Sequence, residues 1–236
     1  PNRNNVQENL VKKDFETSFT GWTFIIGALL LWLGWMIMPH HIGEYIEAGD
    51  FAEIGKNVWF WIWMYRVHIF GWVTMGVAIF AFVSMTSLRP HRVLVIPGAG
   101  MIIIGTFTLA IASAFFYNFG AEGVGRTAGM SPEELSIYLN SILSTNQYVT
   151  CFIRFGRIFS GVGFMILGAA LVKWKIVSSW LGWFTILFGL VAMCVILFIP
   201  VNFEVYKPLF HIKALWLVVM GVTILTKGIQ LPQSNT

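Results

Sequence analysis

The sequence predicts an all-α fold, a polytopic six-transmembrane-helix bundle with both termini inside and short interfacial helices on the outer face. Three observations predict it. Of 236 residues 57% are hydrophobic and 11% charged, where a water-soluble domain carries about 25% charged residues. The apolar residues gather into six runs, each near the roughly 20 residues that carry a helix across a hydrocarbon layer about 30 Å thick. The connections between the runs alternate in charge, basic and then acidic. Together these exclude a soluble globule and a disordered chain. They also exclude a nucleic-acid binder despite the net charge of +4, because the basic residues are scattered and form no stripe that tracks phosphates.

Residues 1–21 are polar through Ser18 and read as a cytoplasmic tail. The apolar run that follows is too long for a signal sequence and lacks a small-residue cleavage site, so no removable targeting segment is expected. The first span is 22–38. The second, 58–86, is long for one perpendicular crossing, and its start, Trp59-Phe60-Trp61-Ile62-Trp63-Met64-Tyr65, has the aromatic composition of a membrane–water interface. Its hydrocarbon core is expected to begin near Val67. The third span is 93–117, and the glycine-rich stretch from Asn118 to Gly129 reads as a flexible loop. Ser131-Pro132-Glu133-Glu134 then starts a helix, with Ser131 as cap, Pro132 in the first turn and Glu134 completing a capping box. Leu135, Leu139, Ile142 and Leu143 follow at helical spacing, which predicts a helix lying along the outer interface. Asp50 and Glu53 offer the same capping spacing ahead of the second span. The last three spans are 148–172, 180–199 and 209–226. The membrane domain is therefore 22–228, with a cytoplasmic tail at 229–236.

Orientation follows from the short loops, because Lys and Arg are retained on the cytoplasmic side. Arg3, Lys12, Lys13, Arg89, Arg92, Lys173, Lys175 and Lys227 share one side, whereas Glu44, Glu47, Asp50, Glu53, Glu122, Glu133, Glu134 and Glu204 share the other. In the fourth span Gly156, Ser160 and Gly163 form one small-residue stripe and Gly161 and Gly168 a neighbouring one, which lets other helices approach closely. Cys151 and Cys194 lie in different spans and read as small packing residues.

Ionisable groups inside spans are costly and are the first place to seek function. Six fall at a common depth near the outer interface: Arg66, His68, Arg154, Arg157, His211 and Lys213. No acidic residue falls within a hydrocarbon core, which argues against a proton-coupled pump. Nothing resembles a nucleophilic triad. One reading has these side chains extending to lipid headgroups. A second makes Arg66, Arg154, Arg157 and Lys213 the charge complement of a pocket for an anionic or lipid-like ligand, walled by Trp and Phe; here Arg154 and Arg157, three apart, share a helix face. A third is a haem b electron carrier with His68 and His211 as axial ligands and the arginines pairing the propionates. Arg66 and His68, two apart, point to nearly opposite sides. His40 and His41 beside Glu44 offer metal-compatible ligands, although adjacent side chains converge poorly on one ion, and no metal site is assigned. His91 reads as a solvated loop residue.

The stretch from Phe152 to Leu190 has an apolar, glycine-rich helix, a short basic turn at Lys173 and Lys175, and Trp180-Leu181-Gly182 opening the next helix. In this it resembles a group of uncharacterised six-helix bacterial membrane proteins of a domain-of-unknown-function class. The resemblance implies the six-span layout and a bacterial cytoplasmic (inner) membrane, and carries no activity. The expected function is that of a non-enzymatic membrane subunit or binding protein acting with membrane lipids and other membrane subunits. A haem b carrier is the alternative.

Overall fold

The computed structural model of the protein describes residues 3–36, 43, 45–86, 92–199 and 203–229. The regular elements among them are helical: α1 (Arg3–Met36), α2 (Ala48–Gly55), α3 (Val58–Thr86), α4 (Arg92–Phe115), a π-helical turn (Phe116–Ala121), α5 (Gly123–Thr127), α6 (Pro132–Trp174), α7 (Ser179–Phe198) and α8 (Phe203–Lys227). Six of them, α1, α3, α4, α6, α7 and α8, contain stretches long and apolar enough to cross a membrane. The hydropathy runs therefore mark the spans, and for α3 both bounds coincide with the run.

Three local expectations are corrected. The helix begun at Ser131 does not lie along the interface as a separate piece but continues into the fourth span as one helix of 43 residues. Its start is as expected: the Ser131 amide donates to Glu134 Oε2 at 2.7 Å, and the Glu134 amide donates to Ser131 Oγ at 3.3 Å. Between Leu143 and Tyr148 stand Ser, Thr, Asn and Gln; with no Gly or Pro there, nothing breaks the hydrogen-bond ladder. The stretch from Asn118 to Gly129 is not an irregular loop but is largely wound into the π-helical turn and α5. Asp50 belongs to the first turn of α2 and is not its cap; the Glu47 amide donates to Asp50 Oδ2 at 2.7 Å.

The long helices pack in an almost closed ring: α8 against α1, α1 against α3, α3 against α4, α4 against α6, and α6 against α7, while α7 and α8 touch far less. The glycines of α6 set two of these seams. Gly156 and Gly163 abut α4 at Thr108 and at Gly98 and Ile102, whereas Gly161 and Gly168 abut α7 at Gly189 and Met193 and at Gly182 and Ile186. The two stripes read from the sequence thus serve two different neighbours. Small residues allow such backbone approach where apolar lipid gives helices no hydrophobic reason to associate.

Inside the ring are two apolar clusters. The larger has an aromatic centre in which the Trp216 ring stands edge-on to Phe164 at 4.8 Å and to Phe24 at 6.0 Å. Trp216 Nε1 donates to Thr185 Oγ1 at 2.8 Å, tying α8 to α7 at that level. The smaller cluster joins α2 and the π-helical turn to the start of α3, through Phe51, Ile54, Trp61, Tyr65, Phe115 and Phe116. The aromatic run at 59–65 therefore divides: Trp59 and Trp63 are exposed, as an interfacial belt requires, but Trp61 and Tyr65 are core residues.

Candidate functional site

Between the two clusters lies a cavity of about 170 Å³, lined from all six long helices. Each contributes a stripe at helical spacing: Tyr65, His68 and Trp72 from α3; Ile153, Arg157, Ser160, Gly161 and Phe164 from α6; Phe188, Ala192 and Ile196 from α7; and Tyr206, Leu209, Phe210 and Lys213 from α8. Trp35 of α1, Leu109, Ala112 and Ser113 of α4, and Phe116 of the π-helical turn complete most of the wall.

Two of the expected basic residues meet here. Lys213 is 9% exposed, with its ammonium 5.0 Å from the centre of the Trp72 ring and 5.8 Å from that of Phe164. The Arg157 guanidinium lies 4.1 Å from the centre of the Tyr206 ring. The two cations are close enough for their charges to act on each other. Aromatic faces attract a cation by about 2 kcal/mol or more where water is excluded. That offsets part of the several kcal/mol that withdrawing an ion from water costs. Among the described residues that line the cavity there is no carboxylate. Asp50, buried in α2, acts electrostatically on Tyr65 from outside this lining. Two hydroxyls in the wall, Ser160 Oγ and Tyr206 OH, are buried without a hydrogen-bond partner among the described residues, their residues being 2% and 4% exposed. Buried polar groups are rarely left in that state.

The other four residues of the basic layer are placed differently. His68 is buried in the cavity wall, and its Nε2 accepts a hydrogen bond from Trp72 Nε1 at 2.9 Å. His211 is turned toward α1, where its Nδ1 accepts from Trp32 Nε1 at 3.0 Å; it is not among the cavity's lining residues. Arg66, on the opposite side of α3 from His68 as its spacing requires, donates to Tyr117 OH at 2.8 Å. The Tyr117 hydroxyl in turn donates to Glu122. A carboxylate from the connection between α4 and α6 thus reaches this cation through a tyrosine. Arg154 is exposed. The expectation that Arg154 and Arg157 act together at one site is corrected: Arg157 lines the cavity with Ile153, Ser160, Gly161 and Phe164, whereas Arg154 is exposed and is not among the lining residues.

The arrangement does not fit a haem held by His68 and His211. His68 lines the cavity whereas His211 does not and is bonded to Trp32 of α1, and the Phe210 ring packs 5.8 Å from that of His68. The cavity is near the roughly 150 Å³ that holds a benzene, far below the volume of a macrocycle. Among the described residues no three His, Cys, Asp or Glu side chains converge as a metal would require. His40, His41, Glu44 and His91 lie outside the described residues. Cys151 is exposed and Cys194 half-buried, so neither is a core packing residue.

Fold and cavity together define a class, a multi-pass six-helix membrane protein with a cationic, aromatic-walled internal cavity. No protein-family model, curated protein or solved structure matches the chain.

The sequence singled out His68, Arg157 and Lys213, but it did not show the parts played by Ser160, Tyr206 and Trp72. Tyr206 lies three residues before Leu209 and seven before Lys213. That helical spacing was a usable signal for a shared face.

Proposed function

We propose that this protein is a non-enzymatic membrane binding protein or subunit that holds an anionic, lipid-like ligand inside its helix bundle. The observation that carries the reading is the convergence of Arg157 and Lys213 on one buried, aromatic-walled cavity. Such a site favours negative charge joined to an apolar body, since the cations supply the charge complement and the rings exclude water. The loop charges support an orientation with both termini cytoplasmic and the cavity toward the outer face. The resemblance over 152–190 supports a bacterial inner membrane, in which the exposed apolar faces of the long helices meet lipids and partner subunits.

The test is mass spectrometry of lipids retained through purification by the wild type and by an Arg157→Gln, Lys213→Gln double variant. Anionic species should be enriched in the wild type and lost from the variant. Equal retention by folded samples of both would refute the reading. The haem b alternative draws less support, because His68 lines the cavity whereas His211 does not. A reduced absorption spectrum with a sharp α-band and stoichiometric haem would restore it.

A further inference from the structure

We propose that the ligand is a single-chain amphiphile with a compact anionic head, drawn from the bilayer sideways through the seam between α7 and α8, with its acyl chain remaining in that seam. This deepens the binding reading above and rests on it.

Three observations carry the inference. The first is size. At about 170 Å³ the cavity accommodates a headgroup and a few carbons, because a cavity of roughly 150 Å³ is filled by one benzene. The rest of any lipid-like molecule must lie outside it.

The second is the wall through which the remainder leaves. Around the ring every neighbouring pair of long helices packs extensively except α7 and α8. Their recorded polar link, Trp216 to Thr185, lies on the far side of Phe188 from the cavity in the order of α7 residues. Beyond it the two helices face each other across the cavity, which Ala192 and Ile196 line from α7 and Leu209 from α8. All three are half-buried, and Leu190, Val191, Leu197 and Phe198 on α7 are exposed. The residues named on both flanks of this seam are apolar, and those beside it on α7 are exposed, which suits methylene groups and gives a hydrated ion no partner.

The third is the polar end. Ser160 Oγ and Tyr206 OH are buried hydroxyls with hydrogen-bonding capacity unused among the described residues, and their residues share the wall with Arg157 and Lys213. Ser160 Oγ packs against Gly105 of α4, so it is the Tyr206 hydroxyl, on the wall that carries the two cations, that suits the oxygens of a carboxylate or a phosphate monoester. Both headgroups satisfy this chemistry, so the source is either a fatty acid or a lysophosphatidic acid.

The experiment uses the full chain in nanodiscs of neutral phosphatidylcholine. Ala192→Cys is introduced with Cys151→Ala and Cys194→Ala, and labelling by a membrane-soluble maleimide is timed with dodecanoate, lauroyl lysophosphatidate, dodecanol or acetate present. Protection by dodecanoate alone identifies a carboxylate ligand, and protection by lysophosphatidate alone a phosphate ligand; either result, or protection by both, supports the seam. Protection by dodecanol as strong as by the acids, or by none of the probes, overturns the proposal. In parallel, Ala192→Trp fills the seam while leaving every polar group in place, and it should lose bound radiolabelled dodecanoate.

Should Ala192→Trp bind dodecanoate like the wild type while Arg157→Gln, Lys213→Gln does not, the lateral route is wrong and the cavity reading stands. Failure of the wild type to bind any anionic amphiphile removes both. An Ala192→Leu variant, bulkier by less, guards against misfolding: it should bind at an intermediate level and unfold at the wild-type temperature.

Discussion

Lys213 shows how a single side chain can be retained against the interest of the fold. Its ammonium is buried against two aromatic rings, and exchange of a buried ion for an apolar residue of like size is often neutral or stabilising by roughly 1–4 kcal/mol. Lys213→Met is therefore expected to unfold at the wild-type temperature or above it when free of ligand, while losing the anionic lipid. Calorimetry on delipidated samples checks this, and a markedly less stable Lys213→Met would show that the lysine is structural. At Tyr117 the expectation is reversed. Its hydroxyl joins Arg66 to Glu122, so Tyr117→Phe should cost about 1–3 kcal/mol of stability with ligand binding intact. A thermal melt and a binding assay on the same sample separate the two effects. The sequence singled out all six basic groups, and the opposed directions of Arg66 and His68 followed from their spacing. Which of the six converge was not legible, because that depends on how each helix is rotated about its axis. The partners that fix this rotation, Trp32 for His211 and Trp72 for His68, lie on another helix or one turn away, among eleven tryptophans of similar setting.

Among the elements, α6 organises the bundle by offering one glycine stripe to α4 and another to α7. A methyl group at Gly163 would come within 2.7 Å of the Gly98 carbonyl oxygen and of Ile102. Overpacking of that kind costs roughly 1–3 kcal/mol, so Gly163→Ala should lower the unfolding temperature although Ala is the better helix former. At Gly100 nothing stands within 4 Å of such a methyl, and Gly100→Ala should gain up to about 1 kcal/mol from helix propensity. Comparing the two melts tests the packing directly, and equal shifts would contradict it. α6 ends at Lys175, whose φ of 49° is left-handed. Lys175→Gly should relieve about 1–2 kcal/mol, seen as a higher melting temperature. The existence of the six long helices was readable from hydropathy because a membrane fixes their length. The boundaries of the polar connections were not, because Ser, Thr, Asn and Gln between Leu143 and Tyr148 neither break nor demand a helix, and the glycines after Asn118 permit winding as well as looping.

At the scale of the whole molecule, an almost closed ring of helices surrounds a cavity that carries two cations. An even number of crossings puts both termini on one side, and the proposed orientation, read from the basic loops, makes that side the cytoplasm. In intact cells an impermeant maleimide should label Glu133→Cys and spare Lys173→Cys; the reverse pattern would invert the bundle. The central claim is that the cavity selects a negative charge on an apolar chain. A ligand bound only by the folded state raises stability by about 2.7 kcal/mol at a hundred times its Kd, so selectivity can be read as a difference in melting temperature between two probes of equal chain length. The measurement is thermal unfolding of the delipidated wild type with dodecanoate or with dodecanol. The expected result is a rise with dodecanoate that dodecanol does not give and that Lys213→Met abolishes; equal rises with both probes, or a rise that survives Lys213→Met and Arg157→Gln together, would contradict that claim.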